Sequence, residues 1–241
     1  MFSRVMLFRI GAAALVCCAG GIAGTVVGWY NGDPVDQFNI GLINGIDDGP
    51  YSVANVYEDF TVPAGGWTVG GVFGYDELNF TPGTLAEWEI RSGLSSGNGG
   101  TLVASGTDTA TYTSTGEGGS GYVIYRIEVD GLDVSLTPGT YWLTVAPVDC
   151  GSSCISATSY TTGTNAVGNP PGNDLDNFQN IPGLAGHDFL LDPTSAGLAR
   201  DWSLGVLIDT ALPTPEPATL ATMGIALALL AARNRKRSLL K

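Results

Sequence analysis

Val123-Ile124-Tyr125-Arg126-Ile127-Glu128-Val129-Asp130 is the stretch that decides the fold class. Val123, Tyr125, Ile127 and Val129 alternate with Arg126, Glu128 and Asp130. A period of two puts one side of an extended segment in a core and the other in water, which predicts a half-buried strand. The alternation recurs on both sides of this stretch. Trp88 and Ile90 alternate with Glu87, Glu89 and Arg91; Tyr141, Leu143 and Val145 with Trp142 and Thr144; Trp202, Leu204, Val206 and Ile208 with Ser203 and Asp209. Weaker runs cover Val53 to Val62, Trp67 to Phe73, Thr101 to Ser105 and His187 to Leu191, and no segment between the two ends of the chain sustains a helical period.

The breakers between these runs are turn-formers. Thr81-Pro82-Gly83-Thr84 and Thr137-Pro138-Gly139-Thr140 are near copies, each placing Pro then Gly at the centre of an expected type II turn. Gly97-Asn98-Gly99-Gly100 and Gly116-Glu117-Gly118-Gly119 suit hairpin loops that need positive φ. About eight to ten short strands with this punctuation predict an all-β domain, an antiparallel β-sandwich of jelly-roll-like type. Thr161 to Leu184, rich in Asn, Gly and Pro, is long for a loop and reads as a functional or mobile segment.

Composition agrees. The 241 residues hold one ordinary domain plus targeting segments, since domains run roughly 100–200 residues. Thirty-five glycines are about twice the usual ~7% share, and charged residues make up 14% against a norm of ~25%, which favours turns over helices. The net charge of −13 is unevenly spread. Between residues 24 and 212 stand only three basic residues, Arg91, Arg126 and Arg200, against 22 of the 23 acidic ones, a local net of −19. Such a body repels nucleic acid and anionic lipid, so neither is an expected partner of it.

The basic residues collect at the two ends. Arg4 and Arg9 precede an apolar stretch from Ile10 to Cys18 and then small residues, so residues 1–23 read as a secretory signal peptide. Gly21 and Ala23 favour cleavage after Ala23, with Ala19 as an alternative; an uncleaved anchor and a lipobox around Leu15-Val16-Cys17-Cys18 are the competing readings. At the other end Pro213-Thr214-Pro215-Glu216-Pro217 leads into an uncharged run, residues 218–232, and then Arg233-Asn234-Arg235-Lys236-Arg237. Proline fixes φ and lacks an amide donor, so the first part is extended and fits into another protein's cleft. As a helix the 15-residue run is about 22 Å long against a hydrocarbon core of ~30 Å, a marginal span. The basic end, 233–241, resists crossing and stays cytoplasmic.

Pro215, Glu216 and Pro217, the continuation Ala218-Thr219-Leu220 and the Arg cluster together resemble the PEP-CTERM sorting signal, which an exosortase processes. A sortase signal is the nearest rival, but Pro215 and Glu216 replace the Thr and Gly that sortase chemistry needs; a non-processed tail anchor is the plain alternative. The segments Gly65-Gly66-Trp67-Thr68-Val69, Trp88 to Gly93, Gly99 to Gly106 and Pro138 to Leu143 are similar to ectodomains of some PEP-CTERM proteins. That similarity implies a shared sheet scaffold and no assigned activity. The expected organisation is a signal peptide at 1–23, a β-sandwich ectodomain at 24–210 and a sorting tail at 211–241.

Candidate sites in the body are few. Cys150 and Cys154, flanking Gly151-Ser152-Ser153, are the only cysteines beyond residue 23 and outside the cytoplasm most simply form a disulfide. Two thiolates fall short of the four ligands of a structural zinc. Asn173, Asp174, Asp176 and Asn177 offer oxygens for Ca²⁺, as does Asp47-Asp48-Gly49, although neither completes an EF-hand and a solvated acidic loop is the simpler reading. His187 is the only histidine; Asp188 and Ser195 are near it, but no Gly-x-Ser-x-Gly surrounds a serine. Glu87 and Glu89 share a strand face about 6.6–7 Å apart at the backbone, within the ~6.5–9.5 Å range between the carboxylates of inverting glycosidases, but adjacent carboxylates on a solvent face are commonplace and the spacing alone decides nothing. Trp67, Trp88, Trp142 and Trp202 would stack on sugar rings if exposed, whereas alternation favours core packing, particularly for Trp88 and Trp202.

The expectation is an exported, non-enzymatic protein that signal peptidase and an exosortase process, transiently held in the membrane by its C-terminal helix. By resemblance it would serve in an exopolysaccharide or biofilm matrix. A carbohydrate-binding surface module is the alternative, with extracellular polysaccharide as partner, and a secreted hydrolase is the third.

Overall fold

The computed structural model describes residues 24–34, 44–46, 53–116, 118, 119, 121–148, 159–163, 177–191 and 201–210. The signal peptide, Asp47-Asp48-Gly49, Cys150, Cys154, Asn173, Asp174, Asp176, Ser195 and the whole sorting tail lie outside these residues. Among the described residues every regular element is a strand. The strands are β1 Gly24–Tyr30, β2 Gly45–Ile46, β3 Val53–Val62, β4 Trp67–Leu78, β5 Leu85–Ser92, β6 Thr101–Ser114, β7 Val123–Leu136, β8 Gly139–Pro147, β9 Ser159–Thr161, β10 Phe178–Asn180, β11 Leu190–Leu191 and β12 Leu204–Thr210. They pair antiparallel in one continuous sheet, in the order β1-β12-β4-β7-β6-β5-β8-β3-β10-β11, with β2 added on β3 and β9 on β4.

Two features turn this ribbon into a sandwich-like body. First, β6 serves two neighbours: Thr101 to Thr109 pair with β5, and Ala110 to Ser114 pair with β7. The sheet folds over along that strand. Second, the core draws on both halves at once, with Phe60, Val62, Trp88, Ile90, Leu143 and Val145 from one side and Trp29, Val69, Val72, Ile127, Val129, Leu204 and Val206 from the other. Alternation explains which residues go there. On β5, Ala86, Trp88 and Ile90 are buried while Glu87, Glu89 and Arg91 take the opposite face; on β7, Ile127 and Val129 are buried and Asp130 is exposed. The long pairings are nested: β5 with β6, β4 with β7, β3 with β8 and β1 with β12.

The loops follow the sequence in part. Gly97 and Gly100 in the β5–β6 link, and Gly116 and Gly118 in the β6–β7 link, all have positive φ, as the hairpin reading requires. The two Pro-Gly copies do not form the expected type II turns. Such a turn needs φ near +80° at the glycine. Gly83 is not among the positive-φ residues, and Gly139, at 156°, is almost extended as it opens β8. The strand that follows claims the second glycine: Gly139 is the first residue of β8 and pairs with Val62 of β3, so it is held in the ladder instead of the corner of a turn.

Candidate functional site

The Glu87 and Glu89 pair sits on the outer face of the half formed by β5, β8 and β3. Strand β8 lies between the other two, and its residues opposite Glu89 and Glu87 are the small Thr144 and Ala146. Their size lets side chains on β3 and β5 meet above β8. Tyr57 donates its hydroxyl to Glu89 Oε2 at 2.7 Å, and Asn55 Nδ2 donates to Glu87 Oε1 at 3.1 Å. Arg91 Nε donates to the same Glu89 oxygen at 2.6 Å and Nη1 to the Gly99 carbonyl at 3.0 Å. The guanidinium lies 5.9 Å from the Tyr57 ring centre and 5.1 Å from that of Phe189. Phe189 has a positive φ of 43°, and its carbonyl accepts from Gly97 N at 3.0 Å, which ties β11 to the β5–β6 link.

The electrostatics follow from this packing. Burial raises the Glu87 carboxyl above its ordinary value of 4.5; the Asn55 hydrogen bond opposes that and the neighbouring Glu89 charge adds to it. Burial, reinforced by Glu89, also raises the Tyr57 hydroxyl. Glu89 already accepts from a phenol and a guanidinium. Asn55 Oδ1, Thr144 Oγ1 and Trp142 Nε1, all from this face, are buried without a hydrogen-bond partner. Buried polar groups are normally paired, so ordered water is expected at this patch.

A raised carboxyl pKa works against the folded state once the group must ionise. The protonated form stabilises fully below the unfolded value, and that contribution is lost as pH rises through the higher folded value. Glu87→Gln keeps an acceptor for Asn55 and removes the ionisation. It is expected to raise stability near pH 7, with the gain shrinking toward pH 4.5 and below; urea midpoints at the two pH values measure this, and a gain that does not depend on pH contradicts it.

His187 Nδ1 lies 3.2 Å from Gln179 Oε1, and the residue's backbone joins a short turn through Leu184 and Ile181. Its ring partner is thus an amide. Among the tryptophans, Trp88 and Trp202 are buried, as is Trp29, which the sequence reading did not single out. Trp88 Nε1 reaches Asp108 at 2.8 Å. Trp67 and Trp142 are only partly buried. Trp67 stacks on Phe60, nearly parallel at 4° and 6.2 Å between centroids, and helps line a cavity of about 360 Å³ with Gly65, Gly66, Thr68, Ile208 and Asp209. Asp209 carried no special signal in the sequence, because pairing brings it there from β12, far along the chain from Trp67.

Residues 213–236 match the PEP-CTERM protein-sorting motif. The match includes Pro215, Glu216, Pro217, Arg233, Arg235 and Lys236, with Arg237 just beyond it. The motif marks the chain for export, sorting to the bacterial cell surface and processing by an exosortase. No curated protein and no solved structure matches the chain.

Proposed function

We propose that this chain is a non-enzymatic structural component of an exopolysaccharide or biofilm matrix, delivered by its sorting tail and built as a jelly roll. The observation that carries the reading is the sorting motif at residues 213–236 on an acidic all-β body. Nested antiparallel pairs, divided between two facing halves, are the winding of a jelly roll. The non-enzymatic part is supported by the commitments already made at the acid pair: Glu89 is held by Tyr57 and Arg91, Glu87 by Asn55. A body with a local net charge of −19 stays hydrated and dispersed in a crowded exterior. Pro215, Glu216 and Pro217 are the recognition element, residues 218–232 the transient anchor, and Arg233, Arg235, Lys236 and Arg237 the stop signal.

Intact-mass and fractionation analysis in strains with and without exosortase tests this. Loss of C-terminal mass and a change of fraction are expected only where the enzyme is present. Identical C-termini and locations in both strains would reject the processing, and unaltered matrix mass on deleting the gene would reject the structural role. A second reading, saccharide binding, is favoured by one observation: Trp67, although packed against the core, is only partly buried and lies beside a cavity.

A further inference from the structure

We propose that the free edge of β1 is a self-association surface, at which a second copy of this chain adds its own β1 antiparallel about a two-fold axis through Val26. The inference rests on the strand order and stands apart from the matrix role. Strand β1 ends the sheet on its side: β12 takes one edge, and among the described residues no strand takes the other. Alternate N–H and C=O groups of an edge strand point away from its neighbour, so the free side already carries half of a ladder. Gly24, Thr25, Val26 and Val27 are all exposed. Val26 is 46% and Val27 56% exposed, and Val27 is the most exposed large apolar side chain among the described residues. Consecutive residues point to opposite faces of a sheet, so neither face is covered here. The segment is a rim with both faces and one edge open.

Natural sheets guard such edges with charge, proline or shortness. At the other end of the sheet, β11 has two residues and is followed in sequence by Asp192-Pro193. The first half of β6 is paired with β5, and it carries Asp108, whose carboxylate accepts from Trp88. Gly24 to Tyr30 contain no charge and no proline, and their register shift falls at Gly28, past the four exposed residues. The edge is also rigid in advance. Strand β12 pairs with it along its length, and buried Trp29, 5.5 Å from Phe60 between ring centres, pins its far end, so little order is lost on pairing.

The occupant is a second copy because the segment complements itself. Two-fold antiparallel pairing keeps each face of one sheet level with the same face of the other, so opposed residues have the same parity. With the axis at Val26, Val26 meets Val26, and Thr25 meets Val27 on the other face. Each of these pairs joins β-branched residues, which are favoured across strands. Charge singles out the same place. Elsewhere two bodies with a local net of −19 repel each other. At this joint the Asp209 carboxylates, each beside a Thr25, are separated by three strand spacings, roughly 14 Å, against a screening length of ~8 Å at physiological salt. A ladder this short gives a weak, reversible dimer.

Sedimentation equilibrium of the full exported, processed protein, over about 10–1,000 µM, tests this. The mean mass is expected to climb from monomer toward dimer, and to do so at lower concentration in about 0.5 M than in about 0.02 M NaCl, because screening lowers the repulsion between the bodies. Val26→Glu sets two carboxylates against each other on the axis and is expected to hold the protein monomeric throughout, with an unchanged thermal midpoint. Leu102→Glu, on the exposed first half of β6, is expected to leave the dimer intact. Val26→Cys reads the register. On the axis the two Cα atoms fall within the ~4.4–6.8 Å that a disulfide spans, so oxidation is expected to give a cross-linked dimer, absent from Val27→Cys and from the parent with its Cys150 and Cys154. A parent that stays monomeric to the top of the range overturns the proposal and leaves the matrix role standing. A dimer that survives Val26→Glu, or that Leu102→Glu removes instead, places the contact elsewhere and overturns it too. Cross-linking through Val27→Cys and not through Val26→Cys overturns the axis.

Discussion

Phe60→Ala is expected to lower folding stability by about 3–5 kcal/mol, the usual cost of emptying a buried phenylalanine site. Phe60 is fully buried on β3 and touches rings from three other strands. Trp29 of β1 lies 5.5 Å away between centroids, Tyr141 of β8 5.8 Å and Trp67 of β4 6.2 Å. Two of these strands belong to the half opposite β3, so the ring is a wedge between the layers. Aromatic pairs add about 0.5–1.5 kcal/mol each beyond the area they bury, which places the expected loss at the upper end of the range. Against a total stability of roughly 5–15 kcal/mol, the variant is near the folding threshold. Urea denaturation of the processed protein measures it, with Phe60→Leu expected to recover about half. A loss below about 1 kcal/mol would show that the two halves do not depend on this contact.

Gly205→Ala is the second large effect, and it works by excess volume. A Cβ at Gly205 would fall within 2.8 Å of three Phe73 ring carbons. Phe73 has nowhere to retreat: Arg126 covers its face at 4.0 Å, and Tyr30 and Tyr75 lie 5.3 and 6.2 Å away. Arg126 is in turn paired with Glu128. Overpacking of this kind costs about 1–3 kcal/mol, and the upper figure is expected here because four side chains must move together. Phe73→Leu is expected to relieve it, so that Gly205→Ala costs much less in that background. Additive losses in the double variant would place the strain elsewhere.

How much of this was legible in the sequence depended on where each strand finds its partners. Strands β5, β7 and β8 were readable because each has a core face and an outer face of different polarity. Strand β6 was read only from Thr101 to Ser105, yet runs to Ser114. Most of it is exposed, and its Thr-rich second half lacks apolar alternation; it is defined by its two pairings instead. Strand β1 carries no clear alternation, because it exposes both Val26 and Val27, and it begins directly after the stretch expected to be a signal peptide. Short β9 and β10 fall in or beside a stretch read as loop, and only their long-range pairing makes them strands.

The site divides the same way. The sequence placed Glu87 and Glu89 on one face, but their partners Asn55 and Tyr57 are 32 residues away and cross a third strand. Glu58 is a stronger case. It is buried, and its Oε2 accepts from the Trp202 backbone at 2.6 Å, a partner 144 residues distant. Local patterning places a glutamate outside; only the assembled fold supplies the donor that lets it stay inside.

The pairing of β1 with β12 sets a timetable for folding. Gly24 faces Thr210, and the Thr210 hydroxyl donates to the Gly24 carbonyl across 186 positions. Hairpin β5–β6 can zip soonest, then β4 onto β7 and β3 onto β8, each step closing a longer loop. Pairing of β1 with β12 joins the two ends of the described body and is the last of these closures. Until it forms, β1 presents an open edge on that side, and that interval is where a second copy of the chain competes with β12 for the same ladder.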